Sequence, residues 1–84
     1  MLETESAPKL TFPPNGARIT RDGSGLSIKV RDGILPFTVL ANGVPLATDI
    51  RTREVFVPEM DVGASVLTVI DAVGQADRAR IWLD

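Results

Sequence analysis

The stretch SVLTVIDAVGQADRARIWL, residues 65–83, carries the clearest information about the fold of this chain. The run from Ser65 to Asp71 is long and rich in β-branched residues, Val73-Gly74 marks a turn, and a run with two distinct faces extends from Ala76 to Leu83. Successive side chains of a strand point to opposite faces, so this pattern predicts a long β-hairpin. The two predicted faces of its second strand hold Ala79, Ile81 and Leu83 on one side and Arg78, Arg80 and Trp82 on the other.

Six shorter runs with β character precede this hairpin. They are Lys9–Phe12, Ala17–Thr20, Leu26–Val30, Pro36–Ala41, Val44–Ala47 and Arg53–Val57. An Asn-Gly pair between apolar runs favours a type I′ hairpin turn with positive φ at both residues, and Asn42-Gly43 fits that description. Pro45 cannot donate to a ladder, so the run after this turn is predicted at a sheet edge. A polar connector over residues 49–53 is expected to follow it.

Short strands at this spacing predict an all-β fold, and we expect a small immunoglobulin-like β-sandwich of seven to eight short antiparallel strands. The chain has no cysteine pair, and its one tryptophan lies in the last strand, so the ordinary core markers of immunoglobulin domains are missing. We expect Phe37 and Phe56 to join the aliphatic residues of the core. A chain of 84 residues supports a single domain, which we assign to residues 9–84. Residues 1–8 are interpreted as a flexible tail, with Met1 as an added start residue of a piece cut from a longer protein.

Composition excludes several classes of function. Nine Lys and Arg against eleven Asp and Glu give a net charge of -2, so the chain lacks the excess of basic residues that is typical of nucleic-acid-binding domains. The chain has no His and no Cys, which removes the commonest metal ligands and general bases, and we predict no metal and no cofactor. No apolar run approaches the roughly 18 residues of a membrane span. The acidic residues beside glycines are expected to serve turns rather than to bind Ca²⁺; they are Asp22, Asp32 and Asp61.

Catalytic patterns are weak. Ser6-Ala7-Pro8-Lys9 matches the Ser-x-x-Lys motif of penicillin-recognising enzymes, but that chemistry places Ser and Lys one helical turn apart and Pro8 opposes a helix. We interpret the match as chance. An enzyme is therefore disfavoured, and substitution of Asp71 or Asp77 by alanine is expected to affect folding rather than turnover.

Two clusters of charge are candidates for contact with a partner. Arg51 and Arg53 follow the edge hairpin, and their guanidinium groups suit carboxylate or phosphate partners; the alternative is a solvated connector with surface ion pairs. Arg78 and Arg80 share one face of the last strand, where they either meet an anionic partner or protect the strand edge against aggregation. Trp82 on that face is typical of a contact surface or of a residue that closes one end of a small sandwich.

Three segments in order resemble a known family. They are LTFPPNGA (residues 10–17), LPFTVLANGVPL (residues 35–46) and GASVLTVIDAVGQADRA (residues 63–79). Together they are similar to the C-terminal domain of bifunctional class A penicillin-binding proteins of type 1C. The likeness extends over most of the chain, although Phe37-Thr38 stands where such domains often carry a larger aromatic residue.

The resemblance implies a role in cell-wall synthesis. The parent enzyme of this family polymerises glycan strands of peptidoglycan and cross-links their peptides, and its catalytic motifs lie outside this stretch. A non-catalytic accessory domain is therefore expected, on the periplasmic face of the inner membrane and within a longer membrane-anchored protein. Expected partners are its own transpeptidase domain, a periplasmic protein or peptidoglycan glycan. The alternative is a carbohydrate-binding or adhesion module of another bacterial surface protein.

Overall fold

A computed structural model of the chain describes residues 7–20, 25–58 and 60–84. These residues form eight β-strands and no helix, which confirms the all-β prediction. Most of the expected turn at residues 22–25 lies outside the described residues. The strands are β1 (Lys9–Phe12), β2 (Arg18–Ile19), β3 (Leu26–Arg31), β4 (Phe37–Ala41), β5 (Val44–Ile50), β6 (Glu54–Val57), β7 (Gly63–Ile70) and β8 (Ala76–Leu83).

The strands form two sheets. One has the order β1-β3-β6 and the other has the order β2-β8-β7-β4-β5. The larger sheet has β8, β7 and β4 at its centre and β2 and β5 at its edges, and the smaller sheet has β3 at its centre. The predicted sandwich is thus confirmed. One feature differs from the antiparallel prediction: β2 runs parallel to β8, because the chain leaves the smaller sheet after β1 and joins the edge of the larger one.

The core lies between the two sheets and is aliphatic apart from one aromatic ring. Phe37 is fully buried, as predicted, whereas Phe56 is 64% exposed and the prediction for it was wrong. The alternation of side chains along β6 explains the error. Val55 and Val57 face the core, so Phe56 between them must face outward. The core side chains are Leu10, Leu26, Ile28, Val30, Phe37, Val39, Val55, Val57, Leu67, Val69, Ala79, Ile81 and Leu83.

The hairpin at Asn42-Gly43 has the predicted geometry, with φ values of 52° and 82°. The strand after it, β5, pairs only with β4 and is an edge of the larger sheet, as predicted from Pro45. It is longer than expected: it extends to Ile50 and includes the first two residues of the predicted connector. Asp49 has a φ of 54° there, and the register of β4 with β5 shifts nearby.

The N-terminal residues of the expected tail, 1–6, lie outside the described part of the chain. Pro8, assigned to the same tail, has a fully buried side chain. A Cβ atom placed on Gly33 would come within 2.7 Å of the Pro8 side chain, so the two residues pack closely. Among the described residues, the packed structure therefore includes Pro8 as well as β1.

Candidate functional site

The last strand separates its side chains by face. Ala79, Ile81 and Leu83 are buried against the core. Arg78, Arg80 and Trp82 are exposed on the outward face of the larger sheet, as the alternation predicted. We call these three outward side chains the β8 face.

Neighbouring residues turn the β8 face into a groove. On β7, Thr68 lies opposite Arg78, Val66 opposite Arg80, and Ala64 opposite Trp82. A depression of about 360 Å³ is lined by Asn15, Gly16, Val66, Arg78 and Arg80. A second, of about 250 Å³, is lined by Gly16, Ala17, Ala64, Arg80, Ile81 and Trp82. Both depressions share Gly16 and Arg80 in their lining, so they adjoin each other, and we call the two together the β8 groove.

One wall of the groove is the segment that leads into β2. The Arg80 backbone N–H donates to Asn15 Oδ1 at 2.7 Å, and the Gly16 N–H donates to the Arg80 carbonyl at 2.6 Å. The Trp82 N–H donates to the Ala17 carbonyl at 2.9 Å. These bonds hold residues 15–17 against β8 before the parallel pairing at Arg18 begins.

Trp82 is fixed by two residues that sequence reasoning missed. Its Nε1–H donates to Asp84 Oδ1 at 2.7 Å, and the Arg18 guanidinium carbon lies 5.7 Å from its ring centroid. Arg18 Nε also donates to Asp84 Oδ2 at 3.1 Å. Hydrogen bonds from Arg18 and, more weakly, from Trp82 outweigh desolvation and lower the pKa of Asp84. No local pattern links Arg18 to Asp84, because only the parallel pairing of β2 with β8 brings them together.

Arg78 and Arg80 differ from the other arginines that the structure describes. Arg18, Arg31 and Arg51 each form an ion pair, with Asp84, Asp32 and Asp49 respectively. Within the described residues, the guanidinium groups of Arg78 and Arg80 have no ion pair and no hydrogen bond. A guanidinium carries five donors, so both groups are available to an external acceptor.

Arg51 and Arg53 are not part of the β8 groove. Arg51 Nη2 donates to Asp49 Oδ1 at 2.8 Å, an exposed pair of small energetic value. Arg53 donates to the carbonyls of Asp32 and Gly33, and its guanidinium carbon lies 5.5 Å from the Phe37 ring centroid. These contacts join the turn after β3 to the residues ahead of β6.

Among the described residues, the buried carboxylate is that of Asp71, which is 5% exposed. Its Oδ1 accepts from the N–H groups of Val73 and Gln75, at 3.1 and 2.8 Å. Its Oδ2 accepts from the Ile34 N–H and from Gln75 Nε2, both at 3.1 Å. Desolvation by burial raises the pKa of Asp71, but the hydrogen bonds from Ile34, Gln75 and Val73 together outweigh it, and the pKa lies below the ordinary value. Through these four hydrogen bonds, the Asp71 carboxylate stabilises the turn between β7 and β8 and joins it to Ile34.

The weaker sequence patterns form no site in the described part of the chain. Lys9 begins β1 rather than lying in a helix, while Ser6 of the Ser-x-x-Lys match and Asp22 lie outside the described residues. Among residues 7–20, 25–58 and 60–84, no group of three or more acidic, His or Cys side chains is arranged to hold a metal ion. The same residues contain no helix of the length and hydropathy that crossing a membrane requires.

Comparison with known proteins assigns the chain to a family. No curated protein and no solved structure shows significant similarity to it. The sequence model of one family, the Penicillin-Binding Protein C-terminus Family, matches residues 2–81. Nearly the whole chain is covered by that match, and the all-β fold agrees with the resemblance found in the sequence. The chain belongs to the Penicillin-Binding Protein C-terminus Family.

Proposed function

We propose that this chain is a non-catalytic accessory domain of a peptidoglycan synthase, and that it contacts a protein partner through the β8 groove. Membership of the penicillin-binding protein family supports a cell-envelope protein. The proposed location is the periplasmic face of the inner membrane, within a longer membrane-anchored protein. Glycosyltransferase and transpeptidase activities belong to the remainder of that protein in this proposal.

One observation carries the choice of surface. Arg78 and Arg80 project from the same groove with no ion pair to any described residue, above the apolar side chain of Val66 and beside the exposed Trp82. Arginine and tryptophan around an apolar centre are the residue types enriched where protein interfaces gain most of their affinity. The partner in this proposal is the transpeptidase domain of the same protein or another periplasmic protein.

The exposed ring of Trp82 supports a second candidate, which is binding of peptidoglycan glycan by stacking on a sugar. Its ring already lies 5.7 Å from the Arg18 guanidinium, and its Nε1–H is taken by Asp84. Part of its stacking and hydrogen-bonding capacity is therefore used within the domain, which favours the protein partner. Titration with peptidoglycan fragments separates the two, since glycan binding shifts NMR signals around Trp82.

Deletion of this domain from the full-length protein that carries it is the first test, followed by Arg78→Gln with Arg80→Gln in the intact protein. We expect both changes to impair localisation, partner recruitment or polymerising activity in the same way. The matched control is Lys29→Gln with Arg31→Gln, which removes two exposed charges from the other sheet. Unchanged localisation, recruitment and activity after deletion would contradict the proposal.

A further inference from the structure

We infer that the β8 groove binds an extended acidic segment of a protein partner, with carboxylates at two alternate positions and an apolar side chain two positions further on. This inference rests on the proposed function and names the chemistry of its partner. It follows from the charge, the spacing and the floor of the groove.

The charge of the groove is positive although the chain carries a net charge of -2. Asp84, the acidic residue nearest to Trp82, already accepts hydrogen bonds from Trp82 and Arg18. Asp77, between Ala76 and Arg78 on the strand, faces the other way and accepts from the Leu10 N–H at 2.8 Å. The unpaired guanidinium groups of Arg78 and Arg80 thus lack an internal carboxylate in the described structure. Carboxylates are the acceptors that match the guanidinium fork with two parallel hydrogen bonds.

Spacing along β8 fixes the form of the ligand. Arg78, Arg80 and Trp82 are alternate residues of one strand, and a strand rises about 3.3 Å per residue, so their side chains leave the sheet at intervals of about 6.6 Å. An extended peptide presents its alternate side chains at the same interval. Two carboxylates and one apolar residue at alternate positions therefore match Arg78, Arg80 and Trp82 in order.

The floor of the groove favours a peptide over a polyanion. Beneath the charged side chains the floor includes Val66 and Ala64, and Gly16 lies in the adjoining wall. A Cβ atom placed on Gly16 would meet no atom within 4 Å, so the space above this residue is open. Apolar floor area is buried by the backbone and side chains of a peptide, whereas a phosphate polymer would require a wider basic surface than two arginines. The occupant is therefore a segment of protein.

Two synthetic peptides test this inference on the 84-residue chain. In a Gly-Ser background, one carries Glu-Ser-Glu-Ser-Leu and the other carries the same pattern in reverse order, because the groove does not fix the chain direction. We expect at least one to bind, with NMR shifts at Asn15, Gly16, Val66 and Arg80 and a change in Trp82 fluorescence. Binding is expected to weaken with salt, as it does for exposed charge pairs. The same peptides with Gln in place of Glu are the control ligands, and we expect them to bind more weakly.

Variants of the chain make the test specific. Arg78→Gln with Arg80→Gln is expected to weaken binding by about tenfold or more. Thr68→Glu places a carboxylate opposite Arg78 and is expected to weaken binding while leaving both arginines in place. Lys29→Gln with Arg31→Gln removes the same total charge from the other sheet and is expected to leave binding unchanged. Absence of binding by both peptides, equal binding of the Gln peptides, or equal weakening by the control variant would overturn the inference.

The result is separable from that of the proposed function. If neither peptide binds while Arg78→Gln with Arg80→Gln still impairs the full-length protein, the acidic segment is wrong and the docking role stands. If the fragments of peptidoglycan bind at Trp82 and the peptides do not, the ligand is glycan and the inference is likewise overturned. If peptides bind as expected but deletion of the domain changes nothing, the proposed function fails and the binding site stands.

Discussion

Asp77 Oδ2 accepts a hydrogen bond from the Leu10 backbone N–H at 2.8 Å, across 67 positions of sequence. Leu10 lies in β1 of the smaller sheet and Asp77 in β8 of the larger one, so this bond joins the two layers of the sandwich. The β8 face depends on this arrangement, because turning Asp77 inward places Arg78 outward.

Asp77→Ala is expected to destabilise the domain by about 1–3 kcal/mol, because the Leu10 N–H loses its acceptor in a partly buried place. Urea unfolding measured by Trp82 fluorescence gives the free energy directly. Asp61→Ala is the control, since Asp61 is exposed and makes no hydrogen bond to a described residue, and its effect is expected within about 0.5 kcal/mol. Similar losses in both variants would show that the Leu10 bond contributes nothing specific.

The pKa of Asp71, lowered by its hydrogen bonds, makes stability depend on pH. A carboxyl group with a lower pKa in the folded state stabilises the fold above its unfolded pKa of about 3.9, and this contribution is lost as pH falls through the folded value. We expect the unfolding free energy to fall from pH 7 towards pH 3. Asp71→Asn should remove this part of the dependence, because the amide does not titrate.

The same substitution should lower stability at pH 7. An amide offers one acceptor oxygen, so it cannot accept from Val73, Gln75 and Ile34 at once, and its NH₂ group faces donors on the other side. Chemical unfolding of Asp71→Asn across this pH range checks both effects. A pH profile identical to that of the unmodified chain would refute the linkage of stability to Asp71.

Phe37 and Phe56 provide a matched pair of aromatic residues. Phe37→Ala is expected to cost about 3–5 kcal/mol, because it empties part of the core and removes the contact with Arg53. Phe56→Ala is expected to cost under about 1 kcal/mol, because its ring is 64% exposed. Thermal and urea unfolding of the two variants measure the difference, and equal losses would place Phe56 in the core after all.

Substitutions at Gly25 and Gly74 allow the cost of backbone strain to be distinguished from that of a steric clash, because both residues have the same φ of 90°. A Cβ on Gly74 meets open space, so Gly74→Ala should cost only the left-handed conformation, about 1–2 kcal/mol. A Cβ on Gly25 would lie 2.5 Å from the Val57 carbonyl oxygen and from the Phe56 ring. Gly25→Ala is therefore expected to cost about 1–3 kcal/mol more than Gly74→Ala. Unfolding free energies of the two variants test this, and equal values would exclude the close approach.

Local pattern was sufficient for most of the strands. Alternation of residue types predicted which side chains of β8 face inward, and Asn42-Gly43 predicted a turn whose φ values are both positive. Phe56 shows where residue type misleads, since parity with Val55 and Val57 outweighs the preference of an aromatic ring for the core. The internal hydrogen bonds of Arg53 were also not predictable from local pattern, because the carbonyls of Asp32 and Gly33 are distant in sequence.

The final strand illustrates the division between sequence and tertiary structure. Its sequence alone determined that Arg78, Arg80 and Trp82 share one face, because a strand repeats every two residues. Only the tertiary structure decided that Arg18 and Asp84 fix Trp82, that residues 15–17 wall the groove, and that Arg78 and Arg80 have no carboxylate within the described residues. The first two of these features depend on the parallel pairing of β2 with β8, a long-range contact between chain segments that no local periodicity encodes.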